Sequence, residues 1–179
     1  MEKQFKLGQY GSHLWTREEG RRIRARLTGI LEKLDVGDVL VIDSEGVDAF
    51  DFSFAEELFG KMVLMVATQY PGRFLIVENL TDCTTENLTK ALESVSLMMI
   101  ERRKKKLGLL GKVHPSDQET FAEVVGATGA SASGLSKKLN VNPTAMNERL
   151  AKLTNLGVVR REKGSSASGR EQYVYRVLS

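Results

Sequence analysis

The chain has 179 residues, 41% of them apolar and 27% charged, which is the composition of an ordinary globular protein of one domain or two small ones. No window approaches the run of about 20 apolar residues needed to cross a bilayer, and Met1 to Lys6 lacks the apolar core of a secretory signal, so a cytoplasmic protein with no membrane role is expected. One cysteine, Cys83, excludes an intramolecular disulfide, and the two histidines, His13 and His114, have no neighbouring ligand, so neither a metal nor a cofactor is expected.

In chain order, residues 3–9 read as a short first strand. Thr16-Arg-Glu-Glu19 has the form of a capping box, in which hydroxyl and carboxylate satisfy free amides at a helix start. Ile23, Leu27, Ile30, Leu31 and Leu34 follow at helical spacing. After Gly37-Asp38, the run Val39 to Asp43 predicts a strand buried on both faces. Ser53-Phe-Ala-Glu56 is a second capping box, opening a helix that is apolar almost all round and is broken by Pro71-Gly72. Arg73 to Val77 predicts another buried strand. A third helix, capped by Thr84 or Thr85, is predicted through Leu88, Leu92, Val95 and Met99 and ends in Arg102-Arg-Lys-Lys-Lys106. Leu107 to Val113 reads as a last edge strand.

A second module is expected from residue 114. Ser116-Asp-Gln-Glu119 is a third capping box, with Phe121, Val124 and Val125 on the inner face of its helix. Ser131 to Leu139 predicts a short helix. Asn140 suits a left-handed turn, Asn142 a cap, and Pro143 the first helical position, where its missing amide costs nothing. The helix so opened places Met146, Leu150 and Leu153 inward and ends at Gly157. Two alternating strands, Val158 to Glu162 and Glu171 to Val177, flank the polar loop Lys163-Gly-Ser-Ser-Ala-Ser-Gly-Arg170.

The formal charge of +3 is unevenly divided. Residues 1–100 hold eleven Lys/Arg against sixteen Asp/Glu, residues 101–179 fifteen against seven. Cations gathered in one module are the footprint expected for a phosphate backbone.

Leu135-Ser-Lys-Lys-Leu139-Asn-Val141, Met146-Asn-Glu-Arg-Leu150-Ala-Lys-Leu153, Leu156-Gly157-Val-Val-Arg160-Arg161 and Tyr173-Val-Tyr175 resemble winged helix-turn-helix transcriptional regulators of the ArsR, MarR and Lrp type. The resemblance implies a recognition helix from Pro143 to Leu156 that enters the major groove of duplex DNA. It implies base contacts from Thr144, Asn147 and Glu148, phosphate contacts from Arg149 and Lys152, and a wing flanked by Arg161, Lys163 and Arg170 that grips the backbone. Val39 to Met65 resembles a STAS-like domain family of unassigned function and, more distantly, the anti-sigma-factor antagonists. In those a serine of an Asp-Ser-Ser-Gly sequence is phosphorylated to switch partners. Phe50-Asp51-Phe52-Ser53 stands at that place here, so the resemblance implies Ser53 as a phosphorylation position.

The expected architecture is therefore a STAS-like α/β domain over residues 1–113, a mixed sheet of about four strands with three helices, followed by an α+β winged helix-turn-helix domain over 114–179. The expected function is that of a bacterial or phage-type DNA-binding transcriptional regulator acting as a homodimer. Leu92, Val95, Met98 and Met99 of the third helix are its expected interface, and a regulatory protein partner is expected at the first domain. The alternative is a partner-switching adaptor whose winged helix binds protein. An enzyme is not expected, since the carboxylates Asp43, Glu45, Asp48 and Asp51 have no partner base and no phosphate-cradling glycine loop is present. Arg17, Arg21, Arg22, Arg24 and Arg26 read as a solvated helix face, and Arg102 to Lys106 as a helix end that also reaches DNA phosphates.

Overall fold

A computed structural model describes residues 1–166 and 168–178; Ala167, in the predicted wing loop, and Ser179 lie outside the described residues. Four parallel strands, β1 (Glu2–Lys6), β3 (Val39–Asp43), β5 (Phe74–Glu78) and β6 (Met98–Arg103), and an antiparallel edge strand, β7 (Lys106–Gly111), form a sheet in the order β1-β3-β5-β6-β7. A short parallel pair, β2 (His13–Leu14) with β4 (Ala49–Phe50), lies beside it.

Each parallel connection crosses on the same face. Helix α1 (Arg17–Leu31) joins β1 to β3. Helices α2 (Phe52–Ala55) and α3 (Lys61–Gln69), made continuous by a π turn at Glu56–Gly60, lead to β5, and α4 (Asp82–Ser94) leads to β6. Ile23, Leu27, Phe54, Phe59, Met62, Leu88 and Leu92 bury against Leu40, Ile42, Leu75, Val77 and Met99 of the sheet. The capping box at α1 is present, with Thr16 Oγ1 accepting from Glu19 N at 3.1 Å and Glu19 Oε2 accepting from Thr16 N at 3.1 Å.

Three predicted helix starts move. Ser53 does not cap the second helix: Asp51 does, its Oδ1 accepting from Phe54 N at 2.8 Å, and Ser53 is the second helical residue. An ionised carboxylate two residues upstream is the stronger acceptor for the free amides. Thr81, not Thr84 or Thr85, caps α4. His114 takes the cap position of α5 (Pro115–Val125), so Pro115 and not Ser116 opens that helix.

The predicted third helix also stops short. It ends at Ser94; Ser96 adopts a left-handed φ of 55°, and Met98–Arg103 pairs with β5 as a strand. The Arg102 to Lys106 run is consequently a β6–β7 turn at the carboxyl end of the parallel strands, with Lys104 and Lys105 at positive φ, and not a helix end.

After residues 112–114 come α5, β8 (Ala130–Ser131), α6 (Ala132–Lys138), α7 (Pro143–Asn155), β9 (Arg160–Ser165) and β10 (Glu171–Arg176), with a three-stranded sheet in the order β8-β10-β9. These elements cover the second face of the large sheet. Val39, Val41, Phe74, Ile76, Met98 and Ile100 share one apolar cluster with Phe121, Val124, Met146, Leu150, Leu153, Val158 and Val159. Leu109 N on β7 donates to Gln118 Oε1 of α5 at 3.2 Å. Arg160 fills the space above the turns at Gly37 and Gly72. Gly37, at a φ of 95°, has neither a Cβ to collide with the guanidinium nor a conformation that other residues readily adopt.

Candidate nucleic-acid interface

Helix α7 begins as its residues dictate. Asn142 Oδ1 accepts from Thr144 N at 2.8 Å, Pro143 occupies the first turn, and Asn140 turns the chain at a φ of 51°. Met146, Leu150 and Leu153, at intervals of four and three, are buried on one face of the helix. The opposite face leaves Thr144, Asn147, Glu148, Ala151 and Asn155 exposed.

The two cations of α7 do not stand free. Lys152 Nζ bonds Asp117 Oδ2 at 2.5 Å, and Asp117 is 2% exposed and also accepts from His114 N at 2.9 Å. Arg149 Nη1 lies 3.3 Å from Glu119 Oε2 and 3.5 Å from Thr120 Oγ1. Both side chains expected at phosphates are thus turned back onto α5. Lys138 of α6 is paired in the same way with Glu123, whereas Lys137 is exposed with no ion pair among the described residues.

The β9–β10 hairpin presents two unlike faces. Arg160, Glu162, Gln172, Val174 and Arg176 lie on one, where Glu162 pairs with Arg160 and, at 3.4 Å, with Arg176. Arg161, Lys163 and Ser165 pair across the strands with Tyr175, Tyr173 and Glu171 on the other. On that second face all except Tyr175 are exposed, and the Arg161 guanidinium sits 4.3 Å from the centroid of the Tyr173 ring. Arg161, Lys163 and Arg170 have no ion pair among the described residues. The hairpin root lies at the amino end of the parallel strands, where Gly157 meets Val66 and Ala67 and Arg160 meets Gly37. The Lys104-Lys105 turn, expected to reach DNA phosphates as well, lies at the opposite end of the sheet from the hairpin root.

The first unit holds a different cluster. Glu57, in the π turn, has a side chain 2% exposed, with Lys61 Nζ at 2.6 Å, Arg24 Nη2 at 2.9 Å, and Arg17 and Arg21 each at 3.8 Å. Burial pushes its carboxyl up, but hydrogen bonds and charge from Lys61 and Arg24 outweigh this and hold it below the ordinary value. The arginines read as a solvated face are therefore partly internal counter-ions. Gly20 of α1 permits the approach, since a Cβ there would lie 3.2 Å from Glu57 Cβ. Ser53 sits one turn before Glu57 and is half-buried.

Of the expected dimer face, Leu92, Met98 and Met99 are at most 1% exposed and Met98 and Met99 are strand residues; only Val95, at 41%, reaches the surface. That face is core. Among the described residues, no helix is long and apolar enough to cross a membrane, and no group of three or more His, Cys, Asp and Glu is placed to hold a metal ion.

Asp117 and Glu119, read from the sequence as part of a capping box, and Tyr173, read as part of a wing strand, were given no part in the interface. For the last, strand alternation gave no signal: Tyr173 and Tyr175, two residues apart, share one face of the hairpin, and only the tertiary packing buries one and leaves the other exposed.

No family model and no curated protein matches the chain. One solved structure, described as a possible transcriptional regulator from Methanosarcina mazei Go1, aligns with a TM-score of 0.33 at 17% identity, over 37% of this chain and 57% of that protein. The chain thus spans just over half the length of that structure.

Proposed function

We propose that this chain is a DNA-binding transcriptional regulator. In this reading residues 114–179 are a winged helix-turn-helix that meets duplex DNA, and residues 1–113 are a STAS-like unit that senses a partner or dimerises. The observation that carries it is one assembly of two free surfaces: an α7 face offering Thr144, Asn147 and Glu148, and a hairpin whose Arg161, Lys163 and Arg170 have no carboxylate partner among the described residues. Thr144, Asn147 and Glu148 supply donors and acceptors of the kind that read base edges, and the three hairpin cations supply charge for phosphates. A homodimer belongs to this reading, because one such helix reads only a few base pairs and paired half-sites extend the address.

The test uses the full chain with labelled duplex DNA across a salt series. Three neutralised phosphates give a log–log slope of about −3. Selection from a random duplex library with Asn147→Ala returns an altered motif, and sedimentation of the same protein returns a dimer. A flat salt response, or no complex at low salt, removes the DNA reading in favour of a protein-binding adaptor.

A further inference from the structure

The hairpin carries one ring that base reading and charge leave without a role. Tyr173 is 47% exposed although its neighbour two residues on, Tyr175, is buried. Its outer side is not vacant surface: Arg161 lies across the ring at 4.3 Å, Lys163 stands directly opposite on the paired strand, and a groove of about 230 Å³ is lined by Lys163, Glu171, Gln172 and Tyr173. Two cations flank the ring; the carboxylate that lines the groove, Glu171, forms no ion pair with either among the described residues, and Glu162 on the other face pairs with Arg160 and Arg176.

The contrast with α7 decides between the two surfaces. For Lys152 to reach a phosphate it must leave Asp117, and a carboxylate 2% exposed would then lose its charge partner. Uncovering a buried charge in that way is strongly unfavourable. Arg149 must likewise leave Glu119 and Thr120. Arg161 leaves nothing. A guanidinium stacked on an aromatic face already has its plane fixed, while its edge keeps the donors that fit phosphate oxygens. Ordering the side chain before binding lowers the entropy lost on association.

We propose that Tyr173, with Arg161 held across its ring and Lys163 beside it, is a nucleic-acid-contacting residue, and that this unit rather than α7 supplies most of the grip on the DNA backbone. The proposal rests on the DNA-binding reading and assigns the main contact within it. The Tyr173 ring positions Arg161 and offers its free edge to the deoxyribose, while Arg161 and Lys163 meet successive phosphates.

The experiment is a double-mutant cycle in the full chain, measured with a labelled duplex of mixed sequence at low salt. Tyr173→Ala and Arg161→Ala each weaken binding by about tenfold. The double variant loses much less than the product of the two, because each removes the same stacked unit. Tyr173→Phe stays within about twofold of the wild type, since the ring is kept, and Arg149→Gln does the same. The salt slope falls by about 0.9 in Arg161→Ala and by little in Arg149→Gln. Full binding by Tyr173→Ala, or strictly multiplicative losses in the cycle, overturns the proposal. Loss of binding in Arg149→Gln with inert hairpin variants moves the grip to α7 and leaves the DNA reading standing. Absence of any wild-type complex removes both.

Discussion

Glu57 shows how a single buried carboxylate organises its surroundings. Its position in the π turn brings Lys61, four residues on, to 2.6 Å, and packing against α1 brings Arg24 to 2.9 Å. Removing the charge leaves these cations facing a neutral side chain, and Glu57→Gln is expected to cost about 1–3 kcal/mol in thermal or urea unfolding at neutral pH. The pH dependence follows from the lowered pKa. The folded protein holds the carboxylate ionised below the ordinary value of 4.5, so its stabilisation is complete above that pH and is lost as pH falls through the lower folded value. In the wild type, part of the acid destabilisation below 4.5 should therefore disappear in Glu57→Gln; identical acid profiles for the two proteins would remove Glu57 as its source.

At the scale of elements, helix starts depend on which oxygen reaches the free amides first. Asp51 and Ser53 both belong to the preferred capping types, and Glu56 makes the serine spacing attractive on paper. The β4 strand hands the chain over at Phe50, leaving Asp51 extended at a φ of −87° and ψ of 173° and Ser53 already helical. Asp51→Ala should cost about 1 kcal/mol in chemical denaturation, whereas Ser53→Ala should stay within about 0.5 kcal/mol. The reverse order would return the cap to the serine. The same helix then widens into the π turn, an irregularity often found where a side chain has a special task, and here it sets Glu57 among its cations.

Across the whole molecule, the sheet is covered on both faces by one chain. Val39, Val41, Phe74, Ile76, Met98 and Ile100 form a second apolar face, which packs in one cluster with residues of α5, α6, α7 and the hairpin. Stripping away residues 114–179 would expose all six to water, each burial being worth about 1.5–3 kcal/mol. Calorimetry of the full chain should therefore show a single cooperative transition, and a fragment of residues 1–113 should melt well below it or aggregate. Two separate transitions, with a fragment as stable as the corresponding part of the whole, would mean the shared cluster contributes little. Through the same contact, any change at the turns around Gly37 and Gly72 reaches Arg160 directly, one residue from the proposed DNA contact at Arg161.

Local chemistry was legible wherever a signal needed only its own neighbours. The Thr16–Glu19 box, the Val39–Asp43 strand, the left-handed Asn140, the Asn142 cap and the inward Met146, Leu150 and Leu153 all depend on spacing within a few residues. Leu97-Met-Met-Ile100 was not legible in this way, because its apolar run continues the helical spacing of Leu88, Leu92 and Val95 as well as it makes a strand. Pairing with β5 resolved it, and no residue near Met98 encodes the presence of that partner. The charge asymmetry marked the basic unit, but formal charge does not say which cations are free. Lys152 and Arg149 were withdrawn by Asp117 and Glu119, which lie 35 and 30 positions away and meet them only when α5 packs on α7. Spacing along the chain placed the cations on a helix face; only the packing of that helix against another decided what they can bind, because an ion pair is a property of distance in space.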